Sequence, residues 1–178
     1  MSRDWTKAMF LVGLVVAGFS VRALATKPLP FAKQRATVRA LVYGANTPSQ
    51  RGEAIRELMR IVGDQRQDRW LRTFAAEGLG ELGAVEAESL LRELANRLRW
   101  TEADTRLKSA AHLGEWQVRV AKETRTAKKI QLLEKAGTDR FDGLIEWRVQ
   151  DWAGSELANM GIGEAMPEII DSIKRRGA

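Results

Sequence analysis

An internal repeat constrains the fold of this chain more than any other feature. The segment beginning at Leu71 (LRTFAAEGLGELGAVEAESLL) aligns with the segment beginning at Val149 (VQDWAGSELANMGIGEAMPEII), and Gly83 then matches Gly161. The offset of 78 residues divides into two units of 39, close to the length of one helix pair in helical repeat proteins. A single pair cannot bury its apolar face alone, so such units must stack around a shared core.

The composition favours helices throughout. The chain has 178 residues, enough for one domain, and only four prolines. We therefore predict an all-α fold. Residues 102–135 form either one long helix or a pair broken near Gly114, and Thr101 and Asp104 have the spacing of a capping box that opens it. The remaining predicted helices are Phe31–Tyr43, Ser49–Val62, Asp68–Leu82, Val85–Leu98, Phe141–Met160 and Glu164–Arg176.

Small residues recur at the end of the repeated helix. The motif Ala75-Ala76-x-x-Leu79-Gly80-x-x-Gly83, followed by Glu86-Ala87, resembles the HEAT-repeat family in the short variant of the phycobilisome-lyase type. The copy at Ala153–Pro167 keeps Gly161 and a Glu-Ala pair but replaces the inner Leu-Gly with Leu-Ala. The resemblance implies a right-handed α-solenoid of antiparallel helix pairs over residues 31–178. It also implies a scaffold that binds a protein on its concave face.

The first 25 residues have the layout of a targeting segment. Arg3 and Lys7 precede an apolar run over residues 8–19, and Ala23-Leu24-Ala25 supplies a small-x-small end. This pattern predicts either a signal peptide cleaved before Thr26 or an N-terminal hydrophobic helix that anchors the protein through residues 5–21. Residues 26–30 then form a linker. We expect a membrane-associated or exported (periplasmic) protein; the alternative is an anchor whose domain faces the cytoplasm, because basic residues also follow the apolar run.

The residues that carry most enzyme chemistry are scarce. There is no cysteine, and the single histidine, His112, has no second histidine or evident orienting acid. The sequence Gly78-x-Gly80-x-x-Gly83 matches a dinucleotide fingerprint, but it lies at a helix end rather than between a strand and a helix. We therefore expect no catalytic residue, cofactor, metal site or small-molecule substrate.

Two groups of residues are candidates for partner binding. Two tryptophans lie near predicted helix ends, where this residue often anchors interfaces. Four basic residues share one broad arc if the helix is continuous. The net charge of +6 is modest and the stretch lacks base-stacking aromatics, so a protein partner is favoured. Binding of nucleic acid or an anionic surface through Arg119–Lys135 is the alternative. The candidates are Trp100, Trp116, Arg119, Lys122, Arg125 and Lys129.

Overall fold

The computed structural model describes residues 30–98, 104–139 and 146–162. Within these ranges it contains α-helices, one 3₁₀ turn at Val85–Ala87 and no strand, which confirms the predicted all-α class. The predicted leader, the linker up to residue 29, Trp100 and the last predicted helix lie outside these ranges. The helices are α1 (Phe31–Tyr43), α2 (Pro48–Gly63), α3 (Arg69–Glu81), α4 (Glu88–Arg97), α5 (Thr105–Lys122), α6 (Thr126–Gly137) and α7 (Glu146–Asn159).

Local capping explains where the early helices begin. The Thr47 hydroxyl accepts a hydrogen bond from the backbone N–H of Gln50, whose side chain bonds back to the N–H of Thr47. The Asp68 carboxylate accepts from the backbone N–H of Trp70 at 2.8 Å. The first three predicted helices are accordingly confirmed to within one or two residues. The fourth prediction starts with the 3₁₀ turn.

The long stretch after residue 102 contains two helices, but the predicted break near Gly114 is wrong. Helix α5 runs through Gly114 and ends at Lys122, and α6 begins after Arg125. A Cβ at position 114 would lie 2.9 Å from the carbonyl oxygen of Ala76, so this glycine allows α3 to pack closely and does not end its helix. Asp104, predicted inside a capping box, is itself the residue that precedes α5, and its side chain forms no capping hydrogen bond.

Helices α1, α3 and α5 run parallel to one another. At their first residues, the Phe31 and Trp70 rings lie 5.0 Å apart, and the Arg106 guanidinium lies 4.7 Å from the Trp70 ring. At their last residues, Tyr43 donates to Glu81 and a Cβ on Gly83 would meet Ala121. The even-numbered helices α2 and α4 lie antiparallel to the odd-numbered helix that follows each of them, α3 and α5 respectively.

The two copies of the repeat end in the same backbone motif. Gly83 (φ +56°) and Gly161 (φ +75°) both adopt the left-handed conformation. The N–H of Ala84 donates to the carbonyl of Leu79, and the N–H of Ile162 donates to that of Leu157. These are paired Schellman ends at the repeat offset. Over residues 149–162, the described part of the second copy, the aligned segments therefore have matching local structures.

Two apolar clusters make up the core of the described residues. The first cluster contains residues from all five helices α1 through α5. The second contains residues from the C-terminal half of α5, from α6 and from α7. Helix α5 contributes to both, and every residue from Leu107 to Trp116 is buried. It is therefore the element that connects the two halves of the molecule.

Candidate functional site

The structure does not place Trp116 on the surface. Its side chain is only 4% exposed, and its indole Nε1–H donates to the Asp139 carboxylate at 2.8 Å. The expectation that Trp116 is exposed as a partner anchor is therefore corrected: α6 and α7 cover the part of α5 that carries it. Trp100 lies outside the described residues.

The predicted basic arc is also corrected. The helix is interrupted at residues 123–125. Arg119 and Lys122 therefore lie on α5, Arg125 lies in the connection and Lys129 lies on α6. The Arg119 guanidinium stacks 4.3 Å from the centre of the Trp116 ring and lies 4.0 Å from Glu115. Lys122 donates to Glu88 at 3.2 Å, and Arg125 donates to Glu123 at the same distance. Carboxylates therefore offset most of this positive charge.

A network of charged side chains connects α4 to α5. Arg92 bonds to both Glu88 and Glu115, and Lys122 reaches Glu88 from α5. Burial opposes ionisation of Glu88, but the hydrogen bonds and charges of Lys122 and Arg92 outweigh it and lower the pKa of this carboxyl. The hydrogen bond and charge of Glu115 raise the pKa of Arg92. This surface therefore holds paired ions rather than an open cationic patch.

A buried polar cluster joins α5 to the turn after α6. His112 Nε2 lies 3.0 Å from Asp139 Oδ2, the same oxygen that accepts from Trp116. The acid that the sequence lacked near His112 is thus supplied from 27 residues further along the chain. His112 is only 6% exposed, and the cluster of His112, Trp116 and Asp139 holds the end of α6 against α5. No local pattern could have revealed it.

Each glycine of the apparent dinucleotide fingerprint has a packing or turn role. A Cβ on Gly78 would lie 2.9 Å from Val42 of α1, and a Cβ on Gly80 would lie 2.8 Å from the Cα of Gly114 in α5. Gly83 supplies the left-handed turn. Helix α3 therefore needs these glycines so that a neighbouring helix can approach on either side.

Helix α1 exposes a basic surface that the sequence reasoning did not single out. It contains Lys33, Arg35 and Arg39 and no acidic residue. Among the described residues, no salt bridge joins these three side chains to a carboxylate. Only Gln34 and Val38 are buried in this helix, and nine of its thirteen residues are exposed. The sequence of this helix, with three basic residues and no acidic one, could have predicted this basic surface.

No group of three or more potential metal ligands occurs in the part of the chain that the structure describes. Within the same ranges, no helix is both long enough and apolar enough to cross a membrane. No protein-family model, curated protein or solved structure matches this chain.

Proposed function

We propose that this protein is a non-catalytic scaffold, a short HEAT-like α-solenoid held at a membrane or exported by its N-terminal segment, that binds another protein. The observation that carries the proposal is the pair of matching repeat ends at Gly83 and Gly161. The parallel course of α1, α3 and α5, each connected by an antiparallel helix, agrees with a stack of helix pairs.

The even-numbered helices supply the surface to which we assign partner binding. The outward side of α4 carries exposed Glu93 and Arg97, which pair at 2.5 Å, and exposed Asn96. On α2, Glu57 pairs with Arg60 at 2.6 Å. A surface on which positive and negative side chains alternate suits a protein partner better than a polyanion, which requires an uncompensated positive field.

Site-specific crosslinking in cells tests this proposal. A photoreactive residue at Glu93 of α4 or Arg56 of α2 is expected to give one discrete adduct each, with the same partner identified by mass spectrometry. A photoreactive residue at Ser155, whose position on α7 is also exposed, serves as the matched control and should not capture that partner.

A protein that stays monomeric in detergent and gives no discrete adduct from α2 or α4 would contradict the scaffold function. Capture of nucleic acid at Lys128 or Lys129, weakening steeply with salt, would support the nucleic-acid alternative instead.

A further inference from the structure

We propose that the outer face of α1 lies against an anionic lipid surface, in the same membrane that holds the N-terminal segment. The inference rests on the proposed membrane anchoring and specifies which face of the domain meets the bilayer. The face is defined by Ala32, Lys33, Arg35, Ala36, Arg39, Ala40 and Tyr43, all exposed.

Charge complementarity is the first argument. Three basic side chains occur within α1 with no acid between them, and none forms a salt bridge with a described carboxylate. Arg119, Lys122 and Arg125, in contrast, pair with Glu115, Glu88 and Glu123 respectively. Clusters of unpaired Lys and Arg close to a membrane-spanning segment bind anionic headgroups by attraction to the negative surface potential.

The shape of α1 is the second argument. Thirteen residues of helix are about 20 Å long, and among the described helices α1 packs against α2 and α3 on one side only. Tyr43, at the C-terminal end of this face, is 65% exposed and carries a polar hydroxyl. Aromatic rings with a polar edge favour the level of the headgroups, and the small side chains of Ala32, Ala36 and Ala40 let the helix axis approach that level closely.

The position of α1 in the chain is the third argument. Residues 22–30 separate the proposed anchor, residues 5–21, from α1, and nine residues reach at most about 32 Å when fully extended. A retained anchor therefore keeps α1 nearer to the bilayer than any later helix. The apolar segment supplies anchoring, and the basic face of α1 determines how the domain is oriented on the surface.

Spin labelling of the full-length chain tests the orientation, and the absence of native cysteine makes single-cysteine variants straightforward. A nitroxide at Ala36→Cys reports on α1, and one at Glu93→Cys on α4 serves as the control for a surface away from the bilayer. In vesicles containing phosphatidylglycerol, collisions of the position-36 label with an aqueous nickel chelate should fall several-fold relative to phosphatidylcholine vesicles. The position-93 label should not change.

Charge variants then separate this face from the rest of the protein. Replacing Arg35 and Arg39 with Gln should restore chelate access at position 36, whereas replacing Lys128 and Lys135 of α6 with Gln removes equal charge and should leave it low. Vesicle flotation is measured for every variant. If the wild-type protein does not float with the vesicles, the proposed anchoring is wrong. Retained flotation with a fully accessible position-36 label, or equal shielding in lipid-free detergent, would overturn the orientation alone.

Discussion

At the scale of single residues, Asp139 is the hydrogen-bond acceptor for two buried side chains of α5. Because these side chains are buried, water cannot easily take the place of the carboxylate. The Trp116 indole and the His112 ring both reach the same carboxylate oxygen, at 2.8 and 3.0 Å. Inside a protein, a polar group that loses its partner costs more free energy than the bond contributed. Asp139 therefore matters for how the second half of the molecule is attached, although it lies near the surface.

Replacing Asp139 with Ala is expected to lower the free energy of unfolding by about 1–3 kcal/mol, because the buried indole N–H of Trp116 is left unpaired. Urea denaturation at neutral pH, followed by tryptophan fluorescence, measures the loss. Asp139→Asn keeps one acceptor oxygen at this position and should cost less. Equal stability of the Ala variant and the wild type would show that water replaces the carboxylate.

At the scale of elements, the ends of α3 and α7 are the same motif in different surroundings. Both glycines have positive φ, but a Cβ on Gly83 would also lie 2.8 Å from the Cβ of Ala121, whereas Gly161 has open space around it. A side chain at either position therefore costs the free energy of a left-handed backbone conformation. Only at position 83 does it also clash with a neighbouring helix. The comparison separates the two.

Gly161→Ala is expected to lower the free energy of unfolding by about 1–2 kcal/mol, the cost of a left-handed backbone for a residue with a Cβ. Gly83→Ala should cost more, because Ala121 of α5 must also move. Gly63→Ala is the control: its φ is ordinary and nothing lies within 4 Å, so it should be neutral or stabilise by up to about 1 kcal/mol. Equal losses at positions 83 and 161 would contradict the close contact with α5.

At the scale of the whole molecule, α5 connects two unequal cores. The first cluster extends over α1 to α5, and the second packs α6 and α7 on the C-terminal half of α5. The ion pair between Glu77 of α3 and Arg148 of α7, at 2.5 Å, is a direct contact between the two helices that carry the repeat copies. In stacked repeats each unit draws its stability mainly from its neighbours, so a terminal unit can open without the rest.

Hydrogen exchange of two core variants tests this independence. Leu58→Ala removes a fully buried side chain of the first cluster and should speed exchange in α3 roughly thirtyfold or more, while leaving exchange in α7 unchanged. Leu157→Ala destabilises the second cluster and should speed exchange in both α3 and α7. Both openings unfold the second cluster, so the substitution lowers the free energy of each. Acceleration of α7 by Leu58→Ala, to the same extent as α3, would indicate one cooperative unit instead.

The sequence by itself determined the features that depend on neighbouring residues. The helical class, the bounds of α1 to α3 and the glycine at the end of each repeat copy follow from spacing, capping side chains and backbone conformation, all of which act over a few residues. The alignment of Leu71 with Val149 predicted two segments of matching local structure, and the first helix of each segment ends in the same turn.

Only the tertiary structure decided which side chains are covered and which charges are paired. Trp116 and Arg119 were both predicted to be available to a partner. In the structure α6 and α7 pack over Trp116, and Glu115 faces Arg119. Asp139 reaches His112 because the chain turns back after α5. Among the described helices, none packs on the outer side of α1, so that face stays exposed. These outcomes depend on contacts between residues far apart in the chain, and local periodicity carries no information about them.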